Sequence, residues 1–208
     1  MEDILEIYTQ PTDPKRPLVC MDEVPKQLLS DTRDPITAQP GQVERVDYEY
    51  QRHGVANIFM FFEPFCGQRH VKVTDTRTRT DWAEAMRELS DEIHPEAEKI
   101  IVVLDNLNTH TPAAFYLAFE PDEARRLAKR FEFHFTPKHG SWLNMAEIEL
   151  SVLSRQCINR RIPDEQTLDR EVMAWAKERN SKVVKVDWRF STADARIKLK
   201  RLYPKIHD

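Results

Sequence analysis

The sequence is poor in glycine and lacks the short motifs of several large enzyme classes. Only 4 of its 208 residues are glycine, and neither GxGxxG nor GxxxxGK[ST] occurs. Loops that wrap around nucleotide phosphates are therefore disfavoured, because they need glycine for a close approach of the backbone. The metalloprotease motif HExxH and the hydrolase motif GxSxG are also missing, which disfavours those two classes as well.

Cysteine is scarce too. The three cysteines, Cys20, Cys66 and Cys157, are odd in number, far apart and never in a CxxC spacing. This pattern argues against a disulfide framework and against a cysteine zinc site. We therefore expect a reducing, cytoplasmic location.

Long apolar runs are absent from the sequence. No run approaches the roughly 20 residues that a membrane helix requires, and residues 1–8 lack the basic start of a signal peptide. Hydrophobic residues make up 40% of the chain and charged residues 32%, as in ordinary globular proteins. We expect one domain of ordinary size and no membrane partner.

Charge is unevenly divided along the chain. The formal net charge is −4, but the part from Arg125 onward has 19 Lys and Arg residues against 11 Asp and Glu residues. The part up to Ala124 has 12 against 24, so the two parts carry +8 and −12. The split favours a partner that is itself charged. The alternative is that solvated helices simply carry many lysines and arginines.

Hydrophobic patterning predicts an α/β chain with a mixed sheet covered by helices. Residues 1–17 are predicted to be an N-terminal lead segment, residues 18–208 the main domain, and residues 31–41 an exposed loop. Predicted strands span residues 18–21, 45–50, 55–62, 69–73, 99–104 and 131–135. Predicted helices span residues 82–93, 113–119, 122–130, 142–159, 164–181 and 192–203, the last one stopped by Pro204.

Three details of this prediction can be checked directly. Residues 45–73 are expected to form an antiparallel meander of three strands. Residues 99–104 are expected to form a central parallel strand, because they are apolar on both faces. Asp81 and Glu84 resemble a capping box at the start of the helix that follows the meander.

Acidic side chains follow two of the predicted strands. Asp22 comes directly after residues 18–21 and Asp105 directly after residues 99–104, while Glu147 lies on the helix after the last strand. If the two strands are neighbours, their ends bring Asp22 and Asp105 together, and the helix can add Glu147. Three carboxylates without histidine or cysteine suit Mg²⁺ or Mn²⁺. Their repulsion predicts that at least one has a raised pKa without metal.

Each acid also has a structural alternative. An aspartate after a strand is a common helix cap or turn residue. Glu147 competes with Glu149, which lies about 200° away around the helix, so only one of them can face the site. We predict that Glu149 is a solvated helix charge. Glu23 points to the opposite face of its strand from Asp22 and is left out of the site.

Two segments resemble a specific family. Asp105-Asn-Leu-Asn-Thr-His110 follows a hydrophobic strand, and Thr136-Pro-Lys-His-Gly-Ser-Trp-Leu-Asn-Met-Ala-Glu147 precedes a helix. Together they resemble the signature of bacterial insertion-sequence transposases related to the mariner superfamily, with a DDE endonuclease domain. Val186-Asp-Trp-Arg-Phe-Ser-Thr-Ala-Asp-Ala-Arg196 resembles the tail of that group. The resemblance covers the chain from about residue 18 to residue 204.

The resemblance implies a fold, a site and a reaction. The fold would be ribonuclease-H-like (retroviral integrase-like), a mixed five-stranded sheet flanked by helices. Asp22, Asp105 and Glu147 would be the catalytic and metal-binding triad, holding two Mg²⁺ ions, with Mn²⁺ as a substitute. The enzyme would hydrolyse phosphodiester bonds at transposon ends and join the 3′-hydroxyl to target DNA, with a TA target preference.

The same resemblance implies partners. These are double-stranded DNA and, in the synaptic complex, a second copy of the chain. Family members usually carry helix-turn-helix domains ahead of the catalytic domain, and here the first strand begins almost at once. We therefore expect a separate chain with the recognition domain, or a truncated or split-gene product.

Further polar residues flank the three acids. Asn106, Asn108 and His110 follow the second aspartate and could orient a substrate phosphate or a metal-bound water, or could simply form the turn. Lys138 and His139 lie in a basic loop that could hold a DNA phosphate, and Asn144 shares a polar stripe with Glu147. Two other functions stay open: a catalytically silent remnant that binds DNA or dimerises, and a ribonuclease-H-like nuclease acting on RNA or hybrids.

Overall fold

The computed structural model describes residues 1–33, 36–43, 45 and 47–203. Pro204, the predicted end of the last helix, lies outside these residues, and so does Val46 of the predicted strand 45–50. The strands are β1 (Leu18–Asp31), β2 (Tyr50–Glu63), β3 (Gln68–Thr74), β4 (Ile100–Leu104) and β5 (Phe131–Phe135). The α-helices are α1 (Glu2–Ile7), α2 (Arg79–Glu88), α3 (Phe115–Ala118), α4 (Pro121–Arg130), α5 (Met145–Leu153), α6 (Glu165–Ser181) and α7 (Thr192–Lys198). Short 3₁₀ and π-helical turns extend several of them.

The five strands form one mixed sheet in the order β3-β2-β1-β4-β5. β1 pairs antiparallel with β2, and β2 antiparallel with β3, whereas β4 runs parallel to both β1 and β5. All five residues of β4 are buried, because helices cover both of its faces. The prediction of a central parallel strand is confirmed.

Alternate residues of the strands build two separate hydrophobic layers. One layer packs α2, α3 and α4 against the sheet, with Trp82, Phe115 and Leu127 fully buried. The other layer packs α1, α5, α6 and α7 against the opposite face. Among the described residues, no helix combines the length and the apolar character needed to cross a bilayer.

The first helix is part of this second layer. Ile4 and Leu5 of α1 are fully buried in it. Tyr8, which follows α1, donates a hydrogen bond of 2.5 Å from its hydroxyl to the carbonyl of Leu143, just ahead of α5. The N-terminal segment is therefore fastened to the loop that leads into α5.

β1 is longer than the sequence indicated. The prediction ended it at residue 21, but it continues to Asp31 because β2 pairs with it over its whole length, from Cys20–Phe62 to Asp31–Tyr50. The prediction that Asp22 follows the strand is therefore wrong, and Asp22 lies inside β1. Polar residues are tolerated there because β4 pairs only with the first residues of β1.

The predicted strand at residues 45–50 is also wrong. Arg45 forms an isolated bridge with Ile36, residues 47–49 are not in a strand, and β2 begins only at Tyr50. Within residues 45–49, the described residues pair with no neighbouring strand beyond this bridge. The antiparallel meander therefore consists of β1, β2 and β3. The capping box of α2 also differs from the prediction, because Thr78 and Asp81 form it and Glu84 instead pairs with Arg87.

Glu149 is not a solvated helix charge. Its side chain is only 3% exposed, and its Oε1 accepts hydrogen bonds from Arg69 Nε at 2.5 Å and Arg179 Nε at 2.6 Å. Arg69 lies on β3 and Arg179 on α6, so one buried carboxylate joins three elements. The prediction failed because both arginines are far from Glu149 in sequence.

We expect Glu149→Gln to destabilise the fold by about 3 kcal/mol, because the substitution leaves Arg69 and Arg179 without their buried counter-charge. Urea unfolding followed by circular dichroism measures this. Glu147→Gln on the same helix is the matched control, since no ion pair of Glu147 occurs among the described residues. Equal stability of the two variants would contradict the role of Glu149.

Candidate active site

The site lies where β1 separates from β4. Their parallel pairing ends at Cys20 and Val103, and Asp105 follows the last residue of β4. Asp22 pairs with Met60 of β2 and faces the layer that contains α5, because Met60 belongs to that layer. The structure thus brings Asp22 and Asp105 to the same edge of β4.

Asn144 fixes α5 beside this edge. Its side-chain oxygen caps α5 by accepting from the Ala146 N–H at 3.1 Å, and its Nδ2 donates to the Met21 carbonyl at 2.8 Å. Asn144 is 1% exposed, so it anchors the helix that carries Glu147 to the residue before Asp22. Asn144 was predicted to share a polar stripe with Glu147. In the structure its side chain is used by the two backbone groups of Met21 and Ala146.

The three acids influence one another. Burial raises the pKa of Asp22 to about 7, against a hydrogen bond from the Glu23 N–H that lowers it, and the negative charges of Asp105, Glu23 and Glu147 raise it further. The expected raised pKa in this group is thus found at Asp22. Negative charges of neighbouring groups disfavour the ionised form of Asp22.

His110 contacts two acids at once. Its Nδ1 lies 2.7 Å from Oδ1 of Asp105, and its Nε2 lies 3.0 Å from Oε2 of Glu23. The second contact is an ion pair without the alignment of a hydrogen bond. Burial opposes the charged imidazole, but the hydrogen bond to Asp105 and the charge of Glu23 outweigh burial and raise the pKa of His110 to about 9.

Sequence reasoning missed Glu23. It correctly placed Glu23 on the other face of β1 from Asp22, where Glu23 pairs with Phe59. The side chain is only 3% exposed, and a buried carboxylate needs a cationic partner. A second acid after the apolar run of residues 18–21 was the available signal, but the sequence alone did not identify His110 as its partner.

The other predicted site residues lie on the surface around the acids. Asn106 and Asn108 are exposed in the loop after β4, and Lys138 and His139 are exposed in the loop after β5. None of these four side chains forms a hydrogen bond with another residue in the part of the chain that the structure describes. They are free to contact a ligand from solvent.

Many of the other basic side chains are already paired. Arg160 contacts Glu171, Arg161 contacts Asp31, Arg196 contacts Glu2, and Lys198 contacts Asp194. The excess positive charge of the C-terminal part is therefore partly neutralised.

Trp142, in the same loop as Lys138, is 38% exposed and stacks on Trp188, with the ring planes 10° apart. Trp142 is therefore a surface side chain beside the start of α5, whereas most of the large apolar side chains of α5 itself are buried.

The donor set suits a hard divalent cation. Three carboxylates offer oxygen ligands and repel one another, and both properties favour Mg²⁺ or Mn²⁺ over zinc. In the described part of the chain, no three histidine, cysteine, aspartate or glutamate side chains already converge on one metal position. A cation would therefore have to draw the carboxylates together. One oxygen of Asp105 is held by His110, so the other is the free ligand.

Comparison with known proteins identifies resemblances in sequence and in fold. Residues 17–169 match the profile of a family described as DDE superfamily endonuclease. Comparison with curated proteins gives no significant match.

Three solved structures of the Mos1 mariner system share the fold. A paired-end complex with Mn has 16% identity and a TM-score of 0.56, and the match covers 88% of this chain and 55% of the Mos1 chain. A strand transfer complex has 14% identity and a TM-score of 0.59, with coverage of 88% and 55%. A paired-end complex with the left transposon end has 14% identity and a TM-score of 0.57, with coverage of 88% and 56%. The expected ribonuclease-H-like fold is confirmed, and the chain spans about half the length of these proteins.

We expect Asp22→Asn to unfold at a higher temperature than the wild type at pH 8 without divalent cations, and at the same temperature near pH 4. The folded pKa of Asp22, about 7, lies above the usual 3.8, so the unfolded chain releases a proton that the folded protein keeps between these values. Wild-type stability therefore falls as the pH rises through this window, by up to about 4 kcal/mol relative to the asparagine variant.

Thermal unfolding at the two pH values measures the difference. The matched control is Asp122→Asn at an exposed position of α4, for which we expect no such pH dependence. Parallel pH profiles of the wild type and the Asp22→Asn variant would show that the pKa of Asp22 is not raised in the folded protein.

Proposed function

Because the chain belongs to the DDE superfamily endonuclease family, we propose that it is the catalytic domain of a DNA transposase. The observation that carries the proposal is the grouping of Asp22, Asp105 and Glu147. Without a cation, burial raises the pKa of Asp22, and the negative charges of Asp105 and Glu147 raise it further. We propose these three acids as the catalytic and metal-binding residues. The substrate would be double-stranded DNA in the cytoplasm.

Each acid contributes in a different way to cation binding. Asp22 gives up its proton when it binds a cation, so binding is expected to weaken as the pH falls below about 7. Asp105 offers the oxygen that His110 leaves free, and Glu147 approaches from α5, whose start is anchored by Asn144. Two Mg²⁺ ions, or Mn²⁺ in their place, would activate the attacking oxygen and stabilise the leaving oxygen of a phosphodiester.

The reaction proceeds in two displacements. Water first attacks a phosphodiester at the transposon end, and the 3′-hydroxyl leaves with a proton. That 3′-hydroxyl then loses its proton and attacks a phosphodiester of the target DNA, whose own 3′-oxygen leaves and takes up a proton. One P–O bond forms and one breaks in each step. Lys138 and His139 would hold a DNA phosphate beside the acids, and Asn106 and Asn108 would orient it.

The proposal extends to the assembly. The similar solved proteins are described as paired-end and strand-transfer complexes of Mos1. We propose by analogy that this chain acts on DNA as a homodimer, and that a separate chain with a helix-turn-helix domain recognises the transposon ends.

We expect the purified chain to nick supercoiled plasmid in Mg²⁺ or Mn²⁺, and Asp105→Asn and Glu147→Gln each to reduce the rate by at least about 100-fold, because each removes a charged ligand at nearly constant volume. Gel electrophoresis of the plasmid measures nicking. Glu120→Gln, at an exposed carboxylate that precedes α4, is the matched control and should cut like the wild type.

Other outcomes of this assay distinguish the alternative functions. Full activity in Asp105→Asn would overturn the site assignment. Faster cleavage of an RNA–DNA hybrid than of duplex DNA would favour a ribonuclease-H-like nuclease. No cleavage by a folded wild type would favour a silent DNA-binding remnant.

We expect DNA binding to weaken steeply with salt and to show little sequence preference, because phosphate contacts release counterions. Lys138→Ala should weaken binding on every duplex and lower the slope of log K against log salt by about one. Fluorescence anisotropy at several salt concentrations measures both quantities. Lys15→Ala, next to the residues just ahead of β4 and therefore at the opposite end of that strand from Asp105, is the matched control. Tight, salt-resistant binding to one sequence would contradict this expectation.

A further inference from the structure

We infer that Glu23 and His110 are positioning residues that hold Asp105 in place relative to Asp22 before any cation binds. This inference rests on the proposed function, because it assigns Asp105 and Asp22 to the same cation site. It adds a residue, Glu23, that lies on the opposite face of the sheet from that site. The pair is called the Glu23–His110 clamp below.

The clamp is part of a continuous chain of contacts between the two aspartates. The N–H of Glu23 donates to Oδ1 of Asp22 at 2.8 Å. The carboxylate of Glu23 then lies 3.0 Å from Nε2 of His110, and Nδ1 of His110 lies 2.7 Å from Oδ1 of Asp105. The two acids are thereby connected through protein groups alone.

The two side chains of the clamp are buried, whereas Asp105, which they hold, is partly exposed. The side chains of His110 and Glu23 are 1% and 3% exposed, and that of Asp105 is 33% exposed. Asn106, Leu107 and Asn108 are exposed as well, so the loop after β4 offers Asp105 little support of its own. His110 supplies that support from inside the protein.

His110 itself is fixed by the core. Its ring stacks on Trp82 of α2, with the ring centroids 5.8 Å apart and the planes 26° apart. Trp82 is fully buried, and the N–H of His110 closes a turn onto the carbonyl of Leu107. The imidazole therefore cannot follow Asp105 into solvent, and Asp105 is held toward the protein.

The two nitrogens of His110 have different contacts and therefore different roles. Nδ1 holds one oxygen of Asp105, which leaves the other oxygen to a cation, and Nε2 is tied to β1, the strand that carries Asp22. Groups that orient a metal ligand in this way typically change cation affinity by about 10-fold to 100-fold when they are removed. Glu23 and His110 should therefore act on cation affinity without binding the cation themselves.

The test is direct Mn²⁺ binding to the full chain without DNA, measured by electron paramagnetic resonance of free Mn²⁺. We expect Glu23→Gln and His110→Gln to raise the Kd for Mn²⁺ at least tenfold, within the range typical of residues that orient a metal ligand. His110→Asn should raise the Kd less than His110→Gln, because its amide takes the place of Nδ1 beside Asp105 and only the contact with Glu23 is lost, whereas the glutamine amide takes the place of Nε2. Glu132→Gln, which breaks the surface ion pair with Arg16, is the matched control.

Two further measurements separate positioning from folding. Circular dichroism and thermal unfolding identify any variant that does not fold. For the wild type, a ¹H–¹⁵N spectrum of the His110 ring should shift on addition of Mg²⁺, because the cation binds the carboxylate that Nδ1 contacts. An unchanged ring spectrum in Mg²⁺ overturns the inference without any variant.

The outcomes distinguish this inference from the proposed function. Folded Glu23→Gln and His110→Gln proteins that bind Mn²⁺ within twofold of a wild type that cleaves DNA overturn the clamp and leave the function standing. Weakened Mn²⁺ binding in variants of a wild type that binds Mn²⁺ but does not cut DNA supports the clamp and contradicts the function. A wild type that binds no Mn²⁺ overturns both.

Discussion

The short parallel pairing of β1 with β4 determines where the three acids of the proposed site lie. Only Leu18, Val19 and Cys20 of β1 are in register with β4. Beyond this point β1 continues with β2 alone, and β4 ends at Leu104. At the opening between them, a side chain of β1, the loop after β4 and the start of α5 converge. Asp22, Asp105 and Glu147 are the acids that these three elements supply.

Burial of acidic groups is handled in three different ways around this opening. Glu149 is compensated by two arginines, and Glu23 by the imidazole of His110. Asp22 has no cationic partner among the described residues, and only the Glu23 N–H favours its charge. A buried acid left without a counter-charge is costly for the fold, and perturbed groups of this kind concentrate at functional sites. The contrast between Asp22 and Glu149 therefore separates the site from the structural ion pairs.

The sequence predicted those features that depend on local patterns. The apolar run of β4 and the position of Asp105 directly after it followed from residues 99–105 alone. Helix periodicity also separated Glu147 from Glu149, because residues two positions apart on a helix face opposite sides. The burial of Glu149 did not follow, since its partners Arg69 and Arg179 approach from β3 and α6. The length of β1 was missed for a related reason: pairing with β2, and not composition, extends it past Asp22. Glu23 was placed on the correct face, but its partner His110 lies 87 positions along the chain.

The hydrogen bond from Tyr8 to the Leu143 carbonyl links the N-terminal helix to the proposed site. Leu143 immediately precedes Asn144, which anchors α5 to β1. α1 therefore contacts the segment that leads into the helix carrying Glu147, through the Tyr8 hydroxyl and through the buried side chains of Ile4 and Leu5. A partner bound to α1 would in this way act on the distance between Glu147 and the two aspartates.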